Sequence, residues 1–117
     1  MAAPRLALIE DDPLLRGPIA RDLYAAGYEV VAAASGPEGL ALLNDPKIVL
    51  AIVDVRLPGR IDGPGVIREA RKRNPLLKAI MTSGVPPQDD LSDIGPFLPK
   101  PFRIGDLLDA IRRLLDS

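Results

Sequence analysis

The 117-residue chain has no cysteine, no histidine and no tryptophan, and only 3% of it is aromatic. Without cysteine there is no disulfide, no zinc-thiolate site and no thiol nucleophile, which fits a reducing compartment. Without histidine it lacks the commonest general base and metal ligand, so any chemistry must run on carboxylates, hydroxyls and lysine. Long apolar runs are missing too. The longest, Ile48 to Val53, is too short to span a bilayer, and Leu6 to Ile9 is too short for a secretory signal. A cytoplasmic protein with no membrane partner is expected. Excess charge of one sign is also absent: 15 Lys and Arg stand against 16 Asp and Glu. That balance gives no basic footprint for direct nucleic-acid binding.

What is present is ordinary for one domain spanning residues 1–117, with 47% hydrophobic and 26% charged residues. Short apolar runs alternate with helical patterns. Leu6 to Ile9 reads as a strand buried on both faces, and Asp11 or Asp12 followed by Pro13 reads as a helix start. That helix is expected to turn Leu14, Leu15, Ile19 and Leu23 inward and to close at Gly27. Tyr28 to Ala33 reads as the second strand, and Ser35 caps a helix that puts Leu40 and Leu43 inside. Ile48 to Val53 is the central strand. A helix follows from about Pro64 to Arg73, then a strand from Leu77 to Met81, a short strand at Phe97-Leu98, and a last helix from Ile104 to Leu115. This alternation implies a three-layer α/β/α fold with a parallel five-stranded sheet.

Ligands of such sheets bind beyond the carboxyl ends of the strands. Those ends carry Glu10-Asp11-Asp12, Asp54, Thr82-Ser83-Gly84 and Lys100-Pro101. Several carboxylates beside Asp54 would repel one another without a counterion. Mg²⁺ suits a small oxygen-donor site of this kind, and Lys100 supplies a second cation. The set fits phosphoryl transfer with a carboxylate as nucleophile. Acids after the first strand would repel a nucleotide or flavin phosphate. The basic group Arg68, Arg71, Lys72, Arg73 and Lys78 reads as a solvated helix face and exit.

Taken together, Leu8-Ile9-Glu10-Asp11-Asp12-Pro13-Leu14-Leu15-Arg16, Val53-Asp54-Val55-Arg56-Leu57-Pro58-Gly59, Asp62-Gly63, Thr82-Ser83-Gly84 and Lys100-Pro101-Phe102 resemble the receiver domains of bacterial two-component response regulators. The resemblance covers essentially the whole chain. It implies the flavodoxin-like strand order 2-1-3-4-5, with Asp54 as phosphoacceptor. It further implies Asp11 as direct Mg²⁺ ligand, Glu10 on a metal-bound water, and the Arg56 carbonyl as a backbone ligand. Lys100 would pair the phosphoryl group, its bond to Pro101 would be cis, and Phe97 would hold the aromatic switch position. Either Thr82 or Ser83 could be the switch hydroxyl; the separation from Asp54 favours Ser83. The implied partners are a histidine kinase or histidine phosphotransfer protein and a downstream protein. The implied role is a signalling phosphoacceptor, not a turnover enzyme.

Two other classes compete. One is a receiver-like docking module that no longer uses phosphorylation. The other is a Mg²⁺-dependent aspartyl-phosphate phosphatase, which wants a second Asp two residues after the nucleophile, where this chain has Arg56. The sequence also departs from the receiver pattern. The loop after Asp54 carries an extra residue at Arg60-Ile61, and five of the 13 prolines lie between Pro86 and Pro101. Pro86 and Pro87 cannot donate hydrogen bonds inside a helix. The stretch from Val85 to Gly95 is therefore expected to hold one or two helical turns at best, anchored by Leu91 and Ile94, and to be more mobile than the other connections.

Overall fold

The computed structural model describes residues 2–117. Its elements run β1 (Arg5–Ile9), α1 (Pro13–Ala25), β2 (Glu29–Ala33), α2 (Gly36–Leu42), β3 (Ile48–Asp54), α3 (Gly63–Ala70), β4 (Lys78–Ser83), β5 (Phe97–Pro99) and α4 (Ile104–Leu115). All strands are parallel, in the order β2-β1-β3-β4-β5, so β2 and β5 form the two edges.

Side chains alternate across the sheet, and the two faces bury separate cores. Ala7, Ile9, Ala51, Val53, Ala79 and Met81 lie under α2 and α3. Leu6, Leu8, Leu50, Ile52 and Ile80 meet Leu23 of α1 and Leu107 and Ile111 of α4. These near-continuous apolar strands are what a sheet covered on both faces requires.

Helices α1, α2 and α3 each start at a polar side chain that accepts from a free N–H group, whereas α4 follows Arg103 with no side-chain cap. The Asp12 carboxylate accepts from the Leu14 amide at 2.9 Å, and the Asp62 carboxylate accepts from the Gly65 amide at 2.9 Å. Gly27 closes the α1 end at φ +102°, a backbone state open to glycine.

Four details differ from the sequence reading. Leu14 is 81% exposed and Leu15 36%, because the first turn of α1 overhangs the carboxyl end of the sheet and has no strand to cover. The third helix stops at Ala70, and Arg71–Arg73 form a hydrogen-bonded turn. Lys78 is not simply solvated: its Nζ donates to the Leu114 carbonyl at the C-terminal end of α4, where a cation opposes the helix dipole. Arg71 is likewise engaged.

The crossover from β4 to β5 contains no helix at all. Two features replace it. Leu91 and Ile94 are 8% and 2% exposed and join the α2/α3 core. Arg71 then fastens the backbone: Nη1 donates to the Asp93 carbonyl at 3.0 Å, Nη2 to the Ile94 carbonyl at 2.7 Å, and Nε to the Leu77 carbonyl at 3.0 Å. Upstream of that clamp, no main-chain N–H of residues 84–90 reaches a main-chain acceptor. Hydrogen exchange across Val85–Asp90 is therefore expected to outrun exchange in α1 or α3. Arg71→Ala should extend the fast region through Gly95 and cost about 2 kcal/mol, as charge-assisted bonds do. Equal protection of Val85–Asp90 and α1 in wild-type protein would refute the first expectation.

Candidate functional site

Glu10, Asp54 and Lys100 each stand two residues beyond a side chain of the α1/α4 core, namely Leu8, Ile52 and Leu98. Alternation therefore sends all three toward one face at the carboxyl end of the sheet. They meet there. Lys100 Nζ donates to Asp54 Oδ2 at 2.8 Å and to Glu10 Oε1. Glu10 and Asp54 are buried, at 3% and 7% exposure, while Asp11 is open to solvent.

The remaining oxygens of the two buried carboxylates bond to main chain. The Arg56 amide donates to Asp54 Oδ1 at 3.1 Å, and the Asp12 amide to Glu10 Oε2 at 3.2 Å. Burial, with the neighbouring Asp54 charge, raises the pKa of the Glu10 carboxyl above its ordinary value despite the opposing bonds from Lys100 and the Asp12 amide. Burial would lower the Lys100 ammonium, but its bonds to Asp54 and Glu10 outweigh that and raise it.

One carboxylate oxygen each from Glu10, Asp11 and Asp54 lies within 4.8 Å of the others. Three acids around one ammonium leave an excess of negative charge, and an all-oxygen donor set of this kind fits a hard divalent cation. The chemistry of the donors thus accommodates a metal ion.

Of the two hydroxyl candidates, Thr82 is the register partner of Asp54, and Ser83 closes β4 one residue further on. Both are buried. The Ser83 hydroxyl accepts from the Val85 amide at 3.2 Å, and the Lys100 amide donates to the Ser83 carbonyl at 2.9 Å. The Arg56 side chain points to solvent while its backbone adjoins Asp54. Phe97 is half-buried in register with Met81, against the α2/α3 core. The Lys100-Pro101 bond is cis.

Two contributors were not legible as site residues. Gly63 leaves no room behind Asp54, since a Cβ there would lie 2.0 Å from the Asp54 carbonyl oxygen. The Asp62-Gly63 pair was visible in the sequence, but not its reason. Arg16 donates to the carbonyls of Glu10 and Asp11 at 2.9 and 3.4 Å. The available cue was a cation near a helix N-terminus, where the dipole disfavours it.

Beside the acids, a cleft of about 300 Å³ opens between the loop after β3 and the helix-free crossover, lined by Val55, Arg56, Leu57, Pro86, Pro87 and Leu91 among others. A separate apolar groove of about 420 Å³ is lined by Leu15, Ile19, Gly84, Lys100, Pro101 and Phe102. Among the described residues, no helix is long and apolar enough to cross a membrane.

Comparison with known proteins adds an independent line. Residues 6–112 match the family model of the response regulator receiver domain. The transcriptional regulatory protein AfsQ1 of Streptomyces coelicolor is 38% identical over 96% of this chain and 51% of its own length. The sensor kinase CckA of Brucella abortus is 34% identical over 94% of this chain and 12% of its own length. The chain therefore spans about half, or much less, of these relatives. Among solved structures, a CheY-like response regulator receiver domain protein from Methanospirillum hungatei superposes with a TM-score of 0.91 at 30% identity, covering 98% of this chain and 95% of that one. The receiver domain of hybrid histidine kinase CckA gives 0.82 at 36% identity, covering 95% and 98%.

Proposed function

Because this chain belongs to the response regulator receiver domains, matched over residues 6–112, we propose that residues 1–117 act as one phosphoryl-accepting unit with Asp54 as nucleophile. The observation that carries this reading is the buried Asp54–Lys100–Glu10 constellation, which holds one carboxylate and one ammonium together beyond the strand ends. An Asp54 carboxylate oxygen forms a bond to phosphorus while the bond to the donor breaks and the donor keeps that electron pair. The donor we assign is a phosphohistidine on a histidine kinase or phosphotransfer protein, or a small acyl phosphate; with no histidine in the chain, it lies outside residues 1–117. The exposed Leu14 and Leu15 and the apolar groove beside Lys100 support a protein partner at this end.

Glu10, Asp11 and Asp54, with the Arg56 carbonyl, would hold Mg²⁺, which neutralises charge at the reacting oxygens when bound. Lys100 is placed to pair the incoming phosphoryl group. Ser83, which closes β4 where the loosely bonded crossover begins, is the hydroxyl we assign to hydrogen-bond it; Phe97 on the neighbouring strand completes the switch. The added charge of about −1.5 to −2 would then bias the crossover face toward a downstream protein. Neither the docking-only reading nor the phosphatase reading draws support from an observation here. Arg56 has no acid to offer a leaving group. The setting we assign is the cytoplasm, with contacts to protein and none to nucleic acid or membrane.

The test is intact mass after incubation with acetyl phosphate, with and without Mg²⁺. One phosphoryl adduct that requires Mg²⁺ is expected; no adduct under any donor would overturn the reading. In a Mg²⁺ titration followed by amide shifts, Asp11→Ala should weaken binding much more than Asp12→Ala. The Asp12 carboxylate is committed to capping Leu14, whereas the Asp11 carboxylate lies among the clustered oxygens. Equal losses would mean the acidic run is wrongly aligned.

A further inference from the structure

The turn from Glu10 to Asp12 presents two of the three clustered carboxylates, yet little apolar packing shapes it. It feeds α1, whose one fully buried residue is Leu23, far along the helix. Leu14 and Leu15 are exposed, Gly17 follows, and Pro18 has no N–H to return to the Leu14 carbonyl. The beginning of α1 is thus neither pressed onto the sheet nor fully bonded within itself.

Polar contacts do that work instead. The Glu10 amide is tied to the Ala33 carbonyl of β2 at 3.0 Å, which fixes the entry to the turn. Asp12 caps the helix, and its carbonyl accepts from the Arg16 amide at 2.9 Å. The Arg16 side chain then folds back, and a single guanidinium nitrogen, Nη1, reaches the Glu10 carbonyl at 2.9 Å and the Asp11 carbonyl at 3.4 Å. No carboxylate lies within ion-pairing distance of Arg16 among the described residues.

We propose that Arg16 is a positioning residue of the cation site: by bonding the carbonyls of Glu10 and Asp11 it fixes the turn that aims both carboxylates. The inference deepens the receiver reading and rests on it. It also makes a prediction of opposite sign to the simple electrostatic one. A guanidinium near a divalent ion repels it, so charge alone would make Mg²⁺ bind more tightly once Arg16 is removed. Positioning makes it bind more weakly, because acids on a loose turn must be ordered by the ion itself.

Mg²⁺ is titrated into wild type, Arg16→Ala and Arg16→Lys, with affinity read by calorimetry and by the amide shifts of Asp11 and Asp12. Arg16→Ala should bind about ten-fold more weakly, in the range that supporting residues of metal sites contribute. The loss should survive about 0.5 M salt, which screens a pure charge effect. Arg16→Lys, which keeps the charge but carries its donor on a shorter stem, should fall between. Unchanged or tighter binding by Arg16→Ala overturns the proposal and leaves the receiver reading intact. No Mg²⁺ response from wild-type protein overturns both. If Arg16→Ala does not fold, Arg16→Lys decides: weaker binding supports positioning, and wild-type affinity rejects it.

Discussion

Asp54→Asn is expected to abolish the phosphoryl adduct while leaving the fold intact. The substitution removes the nucleophilic anion but keeps the shape, and an amide oxygen can still accept from the Arg56 amide where Asp54 Oδ1 does at 3.1 Å. Lys100 retains Glu10 as a partner. One negative charge also leaves a crowded acidic pocket, so the thermal midpoint should stay level or rise. Intact mass with acetyl phosphate and Mg²⁺ checks the first expectation and a thermal melt the second. An adduct that persists in the Asn variant would transfer the role to another acid, with Asp11 the solvent-exposed candidate in the cluster.

Gly95→Ala should be the most destabilising small substitution in the crossover. A Cβ at this position would lie 2.0 Å from the Ala79 carbonyl oxygen and 3.0 Å from its carbon. Those atoms belong to the backbone of β4, where Ala79 is held in register with Ala51 of the central strand β3, so they cannot readily swing away. Overpacking against rigid atoms costs about 3 kcal/mol, which for a domain of this size lowers the melting midpoint by roughly 10 °C. Gly105→Ala is the control. Nothing lies within 4 Å of a Cβ there, and in α4 alanine is the better helix former. Thermal melts of both variants should move apart; matching midpoints would mean that β4 can yield.

Strand ends and strand periods were the legible part of this protein. Five apolar runs located all five strands, and the charged residues at their carboxyl ends located the acidic crevice, because a doubly covered parallel sheet leaves few places for polar groups. Ile104 to Leu115 was read to the residue, since its apolar spacing and its contacts agree. Leu14 and Leu15 were misplaced because periodicity reports which residues share a face, not whether a sheet lies beneath that face. Arg71 and Lys78 look solvated in the sequence because their partners are carbonyls distant along the chain, and carbonyls leave no trace in side-chain patterning. The missing helix before β5 was foreseeable from Pro86 and Pro87. The clamp that holds the resulting loop was not, for the same reason as Arg71.

The two edges of the sheet have unequal consequences for self-association. An unpaired edge can recruit a strand from another molecule, and length and free N–H groups decide how readily it does so. At the β5 edge the strand is three residues long, and in the stretch 96–99 only Phe97 and Leu98 have an N–H, because Pro96 and Pro99 do not. The β2 edge is five residues, Glu29 to Ala33, with no proline and an unbroken ladder on its inner side. Strand-added aggregation or swapping would therefore grow from β2, and the end of the sheet beside the helix-free crossover is protected from it by composition.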